Sequence, residues 1–421
     1  MRAERIFVAV VLLCMSMICH AGKGGADVKI AYSADNGRYY ATVSRRNETR
    51  KVGLGAEKEV LELPRDASLY TEPYSEKAYG LLFAPIEPYL KPGDRIFFSP
   101  AGFVHFCNPG ALKDSRGRYL FDKYRFFRTG NLADIPEYKG ISADTYLLLF
   151  GGMDYEASPT DINADCWYCH TSDLQHLNTD IKFARAENID LGETTEGTRA
   201  GINTLRKSRD EIKFIYHLKH LDILPRTGVS ASEEQFRMSI RCTADYIVHI
   251  STHSFNADIP ILLEDSPETI TGKQLAGSGL LFSGAAHSLR GEGPFMAVSP
   301  QGKSLGAPLN DGLLNGAEIA QLDMSHCSMV VLAACNTAFG TVSQDGLVGL
   351  QTAFKKAGVQ TILMTLWSVN DTATSEFMMR FYTHLIAGKT KHEALDLARY
   401  DLMHSPDFND PFYWAPFIML D

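Results

Sequence analysis

Two hydrophobic runs in this chain end on side chains that can do nucleophilic chemistry. Met329 to Ala334 is unbroken apolar sequence, and Cys335 follows it directly, then Asn336, Thr337 and, at position 340, glycine. A short apolar run closed by turn residues fits a strand buried on both faces. Its carboxyl end is where open α/β sheets place their chemistry. Taken alone, Cys335 reads as one more buried, apolar-like cysteine. A second stretch of the same design changes that: Asp245 to Ile250 is again largely apolar, and it runs through Ser251 and Thr252 into His253. A thiol and an imidazole at two strand ends are what a Cys/His nucleophile pair requires, and such partners meet only in the fold.

Around these strands the sequence predicts the elements that must hold them. Beyond Cys335, Gly346 to Ala357 is predicted as a helix closed by Gly358, Thr361 to Leu366 as a strand ending at Trp367, and the next helix as capped by Asn370 or Asp371. That helix turns Phe377, Met378, Phe381, Tyr382 and Leu385 inward and ends at Gly388. Upstream, Leu205 to Leu221 is an amphipathic helix, Ser230-x-x-Glu233 reads as a capping box, and Thr145 to Phe150 as a buried strand. Near the N-terminus, alternating runs flank Asn36-Gly37, a hairpin signal. Tyr74 to Phe83 has helical spacing and Asp94 to Ser99 reads as a strand; His105 and Cys107 follow, two residues apart. Ser283 to Asn315 is a long Gly- and Pro-rich stretch that reads as a mobile, functional loop. Strands and helices in short alternation give an α/β chain with a mostly parallel sheet.

These residues resemble the CHAT family of caspase-like cysteine peptidases, in the clan of caspases, separase and gingipains. The motifs that carry the resemblance are Ile250-Ser-Thr-His253, Asp311-Gly-Leu-Leu314 with Ala317-Glu-Ile-Ala320, Leu332-Ala-Ala-Cys335-Asn-Thr337, Gly346-Leu-Val-Gly-Leu350, Leu366-Trp-Ser-Val-Asn-Asp371, Phe381-Tyr382 and Asp410 to Phe417. The resemblance implies a caspase-like sheet flanked by helices, with a degenerate caspase-like half over 22–190 and the active half over 191–421. It implies Cys335 as nucleophile, His253 as acid and base, and the backbone amides of Ser254 and Cys335 as the oxyanion hole. The family commonly has glycine where this chain has Ser254. For substrate binding it directs attention to acids beside the thiol, Asp371 and Asp311, and to Trp367. Relatives in the clan use a buried acid to hold arginine or lysine, so cleavage of a protein or peptide substrate after a basic residue is implied. The same specificity would make Arg290 and Lys303, in the 284–308 loop, sites of self-cleavage. A second reading of the resemblance is a catalytically silent module that binds a protein partner.

Composition sets the remaining bounds. A net charge of −9 argues against nucleic acid as a partner, which would want a basic face. Arg2 and Arg5, the apolar run Ile6 to Cys19 and the small Ala21 read as a signal peptide over 1–21, which implies export to the periplasm or beyond. No later stretch is apolar enough to span a membrane. Removing the signal leaves Cys107, Cys166, Cys169, Cys242, Cys327 and Cys335, which is not a disulfide scaffold. Cys166-x-x-Cys169-His170 has the spacing of a c-type haem attachment, but no helical packing pattern around it would bury a macrocycle. No cofactor and no metal are expected.

Overall fold

The computed structural model describes residues 25–46, 48–135, 140–166, 189–190, 202, 204–219, 223–257, 267–298, 304–308, 310–333, 340–343 and 346–421. The chain forms two compact units, divided between 137 and 138, with the last two residues counted in the first. In the first unit, Asp27–Asp35 and Arg38–Arg45 form the hairpin that Asn36-Gly37 signals, both turn residues having positive φ (50° and 72°). Glu48–Ala56 extends it antiparallel, while Arg95–Ser99 and then Arg125–Arg128 add parallel on the other side. Alternate residues Val28, Ile30, Ala41 and Val43 point into the core, where Phe97 and Phe127 stack with centroids 4.8 Å apart.

The second unit is built on a parallel sheet in the order Ile362–Thr365, Cys327–Leu332, Tyr246–Ser251, Tyr146–Met153, Arg226–Gly228. Met329 to Leu332 and Tyr246 to Val248 are fully buried, which is why these strands read as continuous apolar runs and not as alternation. The helices Arg206–Lys219 and Asp371–Ile386 pack on each other, and the first also packs on Tyr146–Met153. Ile212 and Ile215 of the first and Phe377, Met378, Phe381, Tyr382 and Leu385 of the second form their buried faces, as the 3.6-residue spacing predicts. A smaller antiparallel sheet, Leu313–Asn315, Ser278–Leu281, Ser254–Ala257 and Ile189–Asp190, stands beyond His253.

Within the second compact unit, Tyr146–Met153 pairs along six residues with the strand that leads to His253. Three expectations change. Gly346–Gly349 is a strand paired with Gly340–Ser343, and the helix begins only at Leu350; two glycines in four residues weaken a helical turn. The cap of the helix Glu233–Ser239 is Ser232, whose hydroxyl accepts the Gln235 amide, while Ser230 bonds the Thr227 carbonyl. The 283–315 stretch carries the helix Ala285–Leu289, a hairpin of Met296–Val298 with Ser304–Pro308, and the strand Leu313–Asn315, so its described part is ordered structure.

One buried hydroxyl ties the helix to the exits of two strands. Ser208 Oγ accepts the Gly152 N–H and donates to the Ser251 carbonyl, both at 2.9 Å. Gly151 leaves room for it: a Cβ there would meet Ser208 Oγ at 2.5 Å and Ile212 Cδ1 at 2.3 Å. Ser208→Ala leaves a buried donor and a buried acceptor unmatched and is expected to lower unfolding free energy by about 1–3 kcal/mol, measured by urea denaturation.

Candidate active site at the sheet's carboxyl edge

His253 stands between Tyr246–Ser251 and the strand Ser254–Ala257, where the chain leaves one sheet for the other. Its carbonyl accepts the Leu281 N–H at 2.9 Å, and its own N–H donates to the Tyr155 hydroxyl at 3.3 Å. The Tyr155 ring lies 5.4 Å from the imidazole, tilted 42°. The Leu281 bond makes Ser254 and Leu280 a non-hydrogen-bonded antiparallel pair. The Ser254 amide is therefore directed away from the Ser278–Leu281 strand.

Cys335 lies outside the described residues, but its approach does not. Val331 is in register with His249 and Leu332 with Ile250, and the Ala333 N–H bonds the Ile250 carbonyl at 3.0 Å. Two parallel neighbours thus leave the sheet at one level, one through Ala333 and the other through Ser251.

Of the substrate-binding candidates, Asp371 stands nearest to His253 electrically. The helix cap at this point is Asn370, whose side chain accepts the Ala373 N–H at 2.8 Å; Asp371 is the first helical residue, and its carboxylate accepts the Lys207 N–H at 2.7 Å. Burial pushes the Asp371 carboxyl above its ordinary value, and the Lys207 amide and the charge of His253 pull it part of the way back. Trp367 is buried, its indole N–H donating to the Phe412 carbonyl at 3.1 Å. Asp311 is exposed and accepts the Leu313 N–H, a turn bond. It lines a cavity of about 440 Å³ with Ile162, His287, Glu292, Phe295 and Leu313 among its walls, a cavity that takes in neither His253 nor Asp371.

Sequence reasoning missed the polar residues behind the site. His249, Ser251 and His253 fall on one face of the strand by its two-residue period, and His249 was therefore the available signal. Its imidazole and the Glu211 carboxylate, both fully buried, stand 2.6 Å apart, and the Tyr382 ring meets the imidazole edge-on at 5.5 Å. Burial pushes the Glu211 carboxyl up, and His249 offsets part of that. Nearby in sequence, Arg237 bridges Glu233 (2.6 Å) and Glu318 (3.0 Å), while Glu234 accepts the Asn310 N–H.

The other sulfur sites differ. In the first unit, burial raises the Cys107 thiol to about 12, and burial with Arg128 lowers the His105 imidazole to about 4, so at neutral pH the thiol keeps its proton and the ring is uncharged. Cys166 closes the helix Pro159–Cys166; Cys169 and His170 lie outside the described residues. Cys107, Cys242 and Cys327 are free thiols. Among the described residues no cluster could hold a metal, and no helix is long and apolar enough to cross a membrane.

A mostly parallel α/β sheet with a histidine at one strand exit, beside the strand that leads to a cysteine, is the architecture of the caspase-like class. The CHAT domain description matches residues 72–420, most of the chain, and the chain belongs to that family. Over 113 residues, 27% of the chain, it is 36% identical to mouse tetratricopeptide repeat protein 28 and 33% identical to the human protein of that name. It spans only 5% and 4% of those relatives' lengths.

Two outcomes follow. Glu211→Ala strands the buried His249 imidazole and is expected to cost about 3–5 kcal/mol in urea denaturation, against less for Glu211→Gln, which keeps an acceptor. Burial, with Glu233 beside it, raises the Glu234 carboxyl to about 7. The folded state then holds a proton that the unfolded chain has released above about pH 4.3, so stability falls as pH rises through that window. Glu234→Gln should flatten this loss, on the order of 2 kcal/mol between pH 5 and pH 8 by denaturant midpoint.

Proposed function

We propose that the chain is an exported cysteine endopeptidase in which Cys335 attacks a peptide carbonyl and His253 moves the proton. The in-register pairing of the two approach strands is the observation that supports this most. Two residues of chain reach at most about 7 Å, and neighbouring strands stand about 4.8 Å apart. Cys335 is two residues past Ala333, and His253 two past Ser251.

In this reading the thiol proton passes to the imidazole and the thiolate adds to the scissile carbonyl. The Ser254 and Cys335 amides receive the oxyanion. The imidazolium then protonates the leaving amine, and His253 takes a proton from the water that hydrolyses the thioester. Asp371 is the acid assigned to an arginine or lysine before the scissile bond, because the carboxyl senses His253. Asp311 comes second, since its cavity excludes His253. Within 284–308, Arg290 and Lys303 are the corresponding self-cleavage sites; Arg290 is held by Glu156 and Glu292, each at 2.8 Å, and Lys303 lies outside the described residues. Export follows from the signal over 1–21, and a mature N-terminus just after Ala21 in the secreted fraction would support it.

A second reading draws on the relatives, which are named as tetratricopeptide repeat proteins: a module that binds a protein partner without cutting it. One experiment separates the two. Peptides with Arg, Lys, Asp or Leu before the scissile bond are offered to the wild type, Cys335→Ala, His253→Ala and Asp371→Asn. Cleavage after Arg or Lys should fall roughly a thousandfold or more in the first two variants, and Asp371→Asn should cut the preference for Arg over Leu by about 30-fold. A folded wild type that cuts no peptide supports the binding reading.

A further inference from the structure

We propose that Tyr155 is the positioning residue of His253, holding the histidine's backbone and imidazole for proton transfer; this rests on the Cys/His reading above. Tyr155 lies two residues past the strand Tyr146–Met153 and is buried. It is fixed by its own backbone: the Ala286 N–H bonds the Tyr155 carbonyl, and the Gly284 N–H bonds the Asp154 carbonyl, each at 3.0 Å.

The hydroxyl closes a circuit whose proton order follows from counting donors. The Thr252 hydroxyl has one proton, and it goes to the Leu281 carbonyl. The 2.9 Å contact between Tyr155 Oη and Thr252 Oγ1 must then be donated by Tyr155. The same phenol oxygen accepts the His253 N–H at 3.3 Å, and the Leu281 N–H returns to the His253 carbonyl at 2.9 Å. His253 N–H, Tyr155 O–H, Thr252 O–H and Leu281 thus form a closed loop that holds both polar groups of the His253 backbone. Each link supports the next, because a hydroxyl that donates is a better acceptor. Above the loop the phenol ring stands against the imidazole at 5.4 Å and restricts its rotation. A histidine that leaves a strand without such a brace samples several rotamers, and only those aimed at the neighbouring strand exit serve the thiol.

The test needs no known substrate. Alkylation of Cys335 by iodoacetamide at pH 6.5, followed as the mass of the modified peptide, reports how well His253 activates the thiol. It is measured in the wild type, His253→Ala, Tyr155→Phe and Thr252→Val. Tyr70→Phe, which deletes a buried hydroxyl that accepts the Asn108 N–H in the first unit, serves as a comparison of equal chemistry. The expected result is a rate that drops about tenfold or more from the wild type to His253→Ala, with Tyr155→Phe and Thr252→Val most of the way to that lower value and Tyr70→Phe at the wild-type value. With a cleaved peptide in hand, Tyr155→Phe should lower kcat and leave KM within about twofold. A Tyr155→Phe rate equal to the wild type, where His253→Ala is slow, overturns the positioning role and leaves the dyad standing. Equal rates in the wild type and His253→Ala overturn the dyad itself, and the positioning role with it.

Discussion

The parallel register between Cys327–Leu332 and Tyr246–Ser251 is the constraint on which the rest of the second unit depends. Both strands are buried on both faces, so a slip by one residue would place every side chain on the wrong face of the sheet. Their common level makes the two exits adjacent, and the Ala333 to Ile250 hydrogen bond fixes that level at the edge itself. What the exits carry can then be single residues on short chain segments, because the sheet has already done the positioning.

Behind that edge, one face of the His253 strand carries polar groups deep in the core, where each needs a partner. Ser208 satisfies the backbone at Gly152 and Ser251, Glu211 meets His249, and Asp371 takes the Lys207 amide at the junction of two helices. All three contacts draw on the helix Arg206–Lys219. That helix is therefore more than a cover for apolar surface. It shapes the electrostatics beneath the strand, and the opposing effects on Asp371, burial upward and the Lys207 amide downward, are the visible sign.

How much of this was legible in the sequence depended on the range of the interaction. Local patterns were: the Asn36-Gly37 hairpin, the buried faces of Arg206–Lys219 and Asp371–Ile386, and the apolar strands flanking the His253 and Cys335 exits. Where two local signals competed, the sequence misled. Gly346 to Gly349 sits inside helical spacing, yet its pairing with Gly340–Ser343 made it a strand, and Ser232 took the cap from Ser230 because the helix begins two residues later than the motif suggested. Long-range polar contacts were not legible at all. Glu211 is 38 residues from His249 and Tyr155 is 98 from His253, and nothing in a spacing rule links such pairs. The strand Tyr146–Met153 likewise precedes the polar stretch in sequence and pairs beyond it in space.

The central claim is that the two strand exits bring positions 253 and 335 together. The most direct measurement is a crosslink: His253→Cys is treated with 1,3-dichloroacetone, which joins two thiols through a three-carbon bridge, and the peptides are analysed by mass. The account predicts a bridged peptide pair containing positions 253 and 335, lost when Cys335→Ala is added. A folded His253→Cys protein that yields no such pair, while its thiols remain open to a monofunctional reagent, would contradict it.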